Sequence, residues 1–305
     1  MELYFAPMEG ITDRVFRRLH QRFYGGVARY YIPFFSPTQH HRLTPRECRE
    51  LAPVPGLPAV PQVLTKNAQD FLWASQALAD LGYAEINLNL GCPSGTVVPK
   101  GKGAGFLAWP DRLAAFLDEI FRASPLPISI KTRLGLRDPA EFAQILALYR
   151  RYPLRELIVH PRTASQMYQG ALHLDAYRAC LAQMTYPVCL NGDLRSPAQL
   201  RDLETGPDAP AAAMLGRGLL ANPALALQYR GGAVPPGTKA AFFAALSQEY
   251  LALFGNERNT LMRMKSLCSY WFQPEQEALW RQLRKCSQWP EFYALASAAL
   301  TDAGA

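Results

Sequence analysis

No Cys-x-x-Cys pair occurs among the six cysteines of this 305-residue chain, which stand apart as Cys48, Cys92, Cys180, Cys189, Cys268 and Cys286. That spacing offers no zinc site, and the length argues against a disulfide framework, so neither a metal nor a covalent staple is expected. No apolar run approaches the roughly 18 residues of a membrane helix, and strand-like sequence from Leu3 leaves no room for a signal peptide. The expectation is a soluble, cytoplasmic protein without membrane contact. Phosphate-binding fingerprints are missing too. Gly95 to Gly103 fails the P-loop spacing because Lys100 stands where the second glycine belongs, and Gly101, Gly103 and Gly105 do not complete a dinucleotide motif. The first strand runs into Ala6-Pro7-Met8-Glu9-Gly10 rather than a glycine-rich turn, which argues against a doubly wound open sheet.

What is present is a well-patterned globular chain. Hydrophobic residues make up 49% of it, enough to exclude disorder, and the net charge of +7 suits an anionic partner without identifying one. The positive excess is not gathered in one tail, so a polyanion would meet a patch assembled by folding. Short apolar runs predict eight strands, at residues 3–6, 28–34, 59–64, 85–90, 128–134, 157–160, 188–191 and 212–216. Amphipathic helices are expected at 13–23, 69–81, 111–123, 139–152, 173–183 and 197–203, with a Pro-rich loop at 36–58 holding at most one short helix. Eight strands alternating with helices are what a (β/α)₈ TIM barrel requires. Beyond the Gly/Pro run 230–237 the pattern turns helical, at 240–254, 259–272 and 275–289. The fold class is therefore α/β, with a catalytic barrel over residues 1–232 and a small α-helical domain over 238–305.

A barrel builds its active site at the carboxyl ends of its strands. Those ends carry Pro7 and Met8, Gln62, Asn89 and Cys92, Lys131 and Arg133, His160 and Arg162, Asn191-Gly192-Asp193, and Gly216-Arg217-Gly218. Buried polar groups are costly unless partnered, so a strand built only for packing would not gather them at corresponding ends. Flavin binding suits the set. An amide such as Gln62 and an ammonium such as Lys131 can meet the polar edge of an isoalloxazine, while Gly192 and the Gly216-Arg217-Gly218 turn fit a phosphate cradle. Cys92, alone, would more often be a small buried hydrophobe. On a turn at a strand end beside lysines it can instead protonate a substrate.

Ala-Pro-Met-Glu-Gly (6–10), Asn-x-Gly-Cys-Pro (89–93), Lys-x-Arg (131–133), His-x-Arg-Thr (160–163), Asn-Gly-Asp (191–193) and Gly-Arg-Gly (216–218) together resemble the tRNA-dihydrouridine synthase family. The resemblance implies FMN as cofactor, NADPH (or NADH) as electron donor, and uridine in folded RNA, tRNA or ribosomal RNA, as substrate; no obligate protein partner is evident in the sequence. It implies that Pro7, Met8, Gln62, Lys131 and His160 contact the flavin ring, and that Asn191, Gly192, Asp193, Gly216 and Arg217 hold its phosphate end. It makes Cys92 the acid that protonates C5 of uracil after hydride reaches C6 from flavin N5, with Asn89 seating the base. Pro161 departs from the glycine found there in many members.

Arg133 and Arg162 are expected on the substrate side, and Lys100 and Lys102, in the loop beside Cys92, on neighbouring RNA phosphates. In the tail, Arg258 and Lys265 share a helix face while Arg263 lies off it. The run 263–270, containing Arg263 and Lys265, is similar to the basic helix of the family's RNA-binding domain, although a merely solvated face has the same pattern. Tyr168, beyond the sixth strand, could touch flavin phosphate or substrate, or simply pack. Two other functions share parts of this pattern: an FMN barrel acting on a free pyrimidine, as dihydroorotate dehydrogenases do, and a non-catalytic RNA-binding protein on a relic barrel.

Overall fold

The computed structural model describes residues 1–272 and 276–302. Glu275, where the third tail helix was expected to start, and residues 303–305 lie outside them. Eight parallel strands close into a barrel in sequence order: β1 Glu2–Phe5, β2 Arg29–Phe35, β3 Ala59–Val63, β4 Ile86–Leu90, β5 Ile128–Arg133, β6 Leu157–His160, β7 Val188–Asn191 and β8 Ala212–Leu215. The ring shuts where Glu2 to Phe5 pair in register with Ala212 to Leu215.

The two-residue period of a strand explains the layering. In β4, Ile86, Leu88 and Leu90 join the cluster packed beneath the surrounding helices, whereas Asn87 and Asn89 turn into the barrel. In β5, Ile128 and Ile130 pack outward and Thr132 bonds to Tyr149 outside the barrel. Ser129 and Lys131 point inward. The lower interior is filled by Tyr4, Tyr31, Val60, Ile158 and Cys189. The upper interior carries Gln62, Asn89, Lys131 and His160.

The barrel helices are α1 Arg14–Phe23, α2 Pro45–Leu51, α3 Ala68–Asp80, α4 Pro110–Ala123, α5 Phe142–Tyr149, α6 Leu174–Gln183 and α7 Pro197–Thr205. Capping side chains set several starts: Asp13 accepts from the Phe16 amide, Asn67 from Asp70, and Ser196 closes a capping box with Gln199. The helix expected over 139–152 begins instead as a 3-10 turn, Pro139–Glu141, and ends at Tyr149. Strand β2 is irregular between Ile32 and Phe35, around Pro33, which has no amide to give to the ladder.

Two short helices not expected from periodicity, α8 Arg217–Ala221 and α9 Leu225–Tyr229, follow β8. The tail forms α10 Thr238–Phe254, α11 Glu257–Trp271, α12 Glu277–Lys285 and α13 Trp289–Asp302. The last was unforeseen. Pro290 is tolerated in a first helical turn, so it opens a new helix rather than ending the tail. Phe242 of α10 packs 5.7 Å from the Phe16 ring and 5.3 Å from Tyr24, so barrel and tail share one hydrophobic cluster. Trp271 donates to the Leu220 carbonyl at 2.9 Å and strengthens that junction. Among the described residues, no helix is long and apolar enough to cross a membrane.

Candidate active site

The strand ends converge on a cavity of about 370 Å³ at the carboxyl mouth of the barrel. Pro7, Met8, Gln62, Asn89, Cys92 and Lys131 line it on one arc. Arg133, His160, Asn191, Gly192, Asp193, Gly216 and Arg217 complete the wall. Of the remaining candidates, Arg162 is buried behind the wall. Lys100, Lys102, Arg263 and Lys265 are not in the lining.

Cys92 is held by its turn. Its amide donates to Asn89 Oδ1 at 2.8 Å and the Gly91 amide donates to the same oxygen at 3.1 Å. The glycine-rich loop that follows packs beneath it rather than cradling a phosphate. The Ala104 amide donates to the Cys92 carbonyl, and Gly103, at φ +55°, leaves no room for a Cβ, which would stand 2.9 Å from that carbonyl oxygen. Burial pushes the Cys92 thiol pKa above its usual range, more than the Ser94 amide, Lys131 and Arg133 lower it. The upward shift favours the neutral thiol over the thiolate near neutral pH.

Lys131 projects from β5 into the cavity, and among the described residues its ammonium has no hydrogen-bond partner. Burial, then the charge of Arg133, pulls its pKa down to about 8. His160 is held far below the histidine range by burial and by the cations Arg133, Lys131, Arg162 and Arg217. Its Nε2 lies 3.2 Å from Arg162 Nη1, which can only donate, so the imidazole is neutral with its proton on Nδ1. Arg133 is buried, its Nε donating to the Gly91 carbonyl at 3.0 Å and its Nη1 to Thr163 at 2.9 Å. It fastens the Cys92 turn to the loop after β6.

Asp193, in the left-handed region at φ +51°, joins two guanidiniums: Arg162 Nη2 and, at 2.7 Å, Arg217 Nη2. Burial acts to raise its pKa, but the Arg162 hydrogen bond and both positive charges hold it below the carboxylate range. Its carboxylate lines the cavity and ties Arg217 to Arg162 at the mouth. Gly192 has φ +146°, and a Cβ there would stand 3.0 Å from Leu172 and 3.3 Å from the His160 ring, so only glycine fits. Tyr168 is 48% exposed and its ring lies 5.2 Å from the Arg133 guanidinium and 5.5 Å from that of Arg217. This is a mounted aromatic at the rim, not a packed one.

The expected RNA contacts divide. Lys100 is exposed and Lys102 half-buried outside the cavity; burial lowers the Lys102 pKa, and Lys100 and Lys66 lower it further. Lys66, just beyond β3, completes this trio and was missed because it lies two residues past the strand pattern. Arg263 and Lys265 turn inward. The Arg263 guanidinium donates to the Gly10 carbonyl, lies 3.3 Å from Asp13, and sits 5.4 Å from the Tyr250 ring. Lys265 Nζ donates to the carbonyls of Arg284, at 2.9 Å, and Cys286, closing the end of α12. Tyr270, at the end of α11, reaches the cavity lining from the tail, and no strand-end reasoning could have found it.

A family model, relatives and solved structures match the chain. Residues 4–301 match the family model described as dihydrouridine synthase. The probable tRNA-dihydrouridine synthase of Rhodobacter capsulatus is 31% identical over 214 residues, covering 70% of this chain and 66% of that protein. The tRNA-dihydrouridine synthase B of Vibrio cholerae is 31% identical over 218 residues, again covering 70% and 66%. The matched segment thus spans just under two thirds of these relatives' length. Among solved structures, morphinone reductase in complex with tetrahydroNAD superposes with a TM-score of 0.54 at 12% identity, over 78% of this chain and 89% of that one. That likeness speaks for the barrel fold alone.

Proposed function

The chain belongs to the dihydrouridine synthase family, and on that premise we propose that it reduces uridines in tRNA to 5,6-dihydrouridine with bound FMN and NADPH, or NADH, as electron donor. The observation that carries this reading is the Cys92 thiol lining one cavity with Gln62 and Lys131, side chains whose chemistry suits a flavin. Lys131 supplies an ammonium without a hydrogen-bond partner among the described residues and Gln62 a buried amide, the donor types that the polar edge of an isoalloxazine requires. Pro7, Met8 and His160 would pack and bond along the ring. Gly192, Gly216 and Arg217 would take the phosphate end, with Asn191 fixed behind them through its 2.8 Å bond to the Met214 carbonyl.

Reduced flavin would supply hydride to C6 of the uracil. The chain's own residues do the rest. Cys92 gives its proton to C5, so that one hydride and one proton add across the C5–C6 double bond, and the thiolate is reprotonated from solvent. Asn89, tied to the Cys92 turn, would orient the base. Neutral His160 and the aligned Arg133 keep the wall polar without competing as acids. The uracil has to leave its stack to enter the cavity. Tyr168 offers a face beside it, and Lys66, Lys100 and Lys102 lie where flanking phosphates would pass.

A free pyrimidine would need no tail. Tyr270 reaching the cavity from α11 supports a substrate that spans both parts of the chain. The names of the relatives favour tRNA over ribosomal RNA, and a tRNA substrate would place the enzyme in the cytoplasm. Barrel and tail, divided near residues 230–237, would act as catalytic and RNA-binding parts without a protein partner.

Anaerobic NADPH titration tests the reading. Flavin absorbance should bleach and then recover on addition of unmodified tRNA but not of free uridine or orotate. Recovery with a free pyrimidine, or protein that cannot be loaded with flavin, would overturn it.

A further inference from the structure

We propose that Ser129 and Glu85, at the floor of the barrel, are positioning residues that set the orientation of the Gln62 amide and the Cys92 turn through a one-way ladder of hydrogen bonds. The inference rests on the flavin reading for its effect on cofactor binding, but not for the ladder itself.

The ladder crosses three strands. The Gly91 and Cys92 amides donate to Asn89 Oδ1, and Asn89 Nδ2 donates to Gln62 Oε1 at 2.7 Å. Gln62 Nε2 donates to Asn87 Oδ1 at 2.7 Å, and Asn87 Nδ2 to Ser129 Oγ at 2.8 Å. Ser129 in turn donates to Glu85 Oε1 at 2.5 Å. Glu85 is paired with Arg29 at 3.1 Å, so its carboxylate stays an acceptor.

The two ends fix every orientation between them. Backbone amides can only donate, and an ionised carboxylate can only accept. With Ser129 committed to Glu85, its oxygen is left to accept from Asn87. That places Asn87 Oδ1 toward Gln62, and Gln62 Oε1 toward Asn89. Turning over any single amide would set nitrogen against nitrogen or oxygen against oxygen at two joints. All five ladder side chains are buried, and none of them is among the buried polar atoms lacking a partner. A misoriented member therefore has no water to turn to.

The consequence is functional because Gln62 and Cys92 face the cavity and Ser129 and Glu85 do not. Gln62 keeps one amide hydrogen and one lone pair free of the ladder, and which faces a ligand is decided below it. A pair of carboxylate and hydroxyl beneath the site thus acts at a distance on both the cofactor's amide partner and the acid's backbone.

Ser129→Ala removes one oxygen and leaves packing nearly unchanged; Ser129→Thr keeps the hydroxyl. Hydrogen exchange of the Gly91 and Cys92 amides is measured in flavin-free protein, and FMN dissociation constants are measured by fluorescence titration. Ser129→Ala should speed exchange at those two amides and weaken FMN binding, each by about tenfold, as expected for one buried group left unsatisfied. Ser129→Thr should restore both. If Ser129→Thr does not fold, Asn87→Leu, which cuts the ladder one rung higher, should reproduce the Ser129→Ala exchange pattern. Unchanged exchange at Gly91 and Cys92 in Ser129→Ala overturns the proposal whatever the flavin does. Altered exchange in a protein whose parent form binds no FMN upholds the ladder and instead refutes the flavin reading.

Discussion

The Arg263 guanidinium, on the second tail helix, donates to the carbonyl of Gly10 in the loop that follows the first barrel strand. The same loop carries Pro7, Met8 and Glu9 into the cavity. Arg263 also pairs with Asp13, the cap of α1, which accepts from Tyr250 at 2.9 Å. A side chain expected from sequence to meet RNA therefore bolts the tail to the edge of the active site.

Arg263→Ala should accordingly cost stability, by about 1–3 kcal/mol, because Asp13 and the Gly10 carbonyl lose a largely buried partner. Urea unfolding monitored by tryptophan fluorescence reads the loss. The salt dependence of tRNA binding should keep its slope, since no phosphate contact is removed. A flattened slope with unchanged stability would restore the RNA role.

Lys131 gives the opposite sign. Its pKa falls from 10.5 in the reference state to about 8 in the fold, so the unfolded chain binds the extra proton more readily between those values. Stability from this group therefore rises with pH from about 8 to 10.5, and below pH 8 the buried charge is a standing cost. Lys131→Met should stabilise flavin-free protein at pH 7 by about 1–2 kcal/mol, a figure discounted for the residue's partial exposure. The gain should shrink toward zero by pH 10.5. FMN affinity should fall in the same variant. Thermal unfolding at the two pH values, with flavin titration alongside, checks both.

The rim lysines should behave as phosphate contacts. Replacing Lys66, Lys100 and Lys102 together by alanine should weaken tRNA binding mainly at low salt and reduce the log–log salt slope by about 2. Flavin affinity should be untouched. Lys265→Ala should leave the slope alone and destabilise the α11–α12 junction, because its ammonium closes helix carbonyls.

Much of this was legible because a strand's two-residue period separates its neighbours. Ile86, Leu88 and Leu90 declare a helix-facing side, and Asn87 and Asn89 can then only point inward. The same reasoning gathers Gln62, Lys131, His160 and Asn191 around one opening, since parallel strands of a barrel all end on one face. Helical periodicity carried less information for the tail. It shows which residues share a face, but not whether that face meets solvent, RNA or α1. Arg263 and Lys265 needed the packed structure, as did Tyr270. Asp193 lines the cavity as the strand-end reading expected, but sequence order does not reveal that Arg162 and Arg217 approach it from two other strand ends. The Gly95 to Gly105 stretch resembled a phosphate loop only in composition; folded, Gly103 makes room for the Cys92 carbonyl and Gly105 for the Val98 backbone.

Cys92 bears the chemical weight of the account, and Cys92→Ala in single turnover tests it most directly. The variant should bind FMN and bleach with NADPH like the parent protein. Its reduction of uridine in unmodified tRNA, read as dihydrouridine by mass spectrometry, should fall by about 10²–10⁴-fold, the span of a lost general acid. Dihydrouridine formed at the parental rate would contradict the assignment of Cys92 as the proton donor.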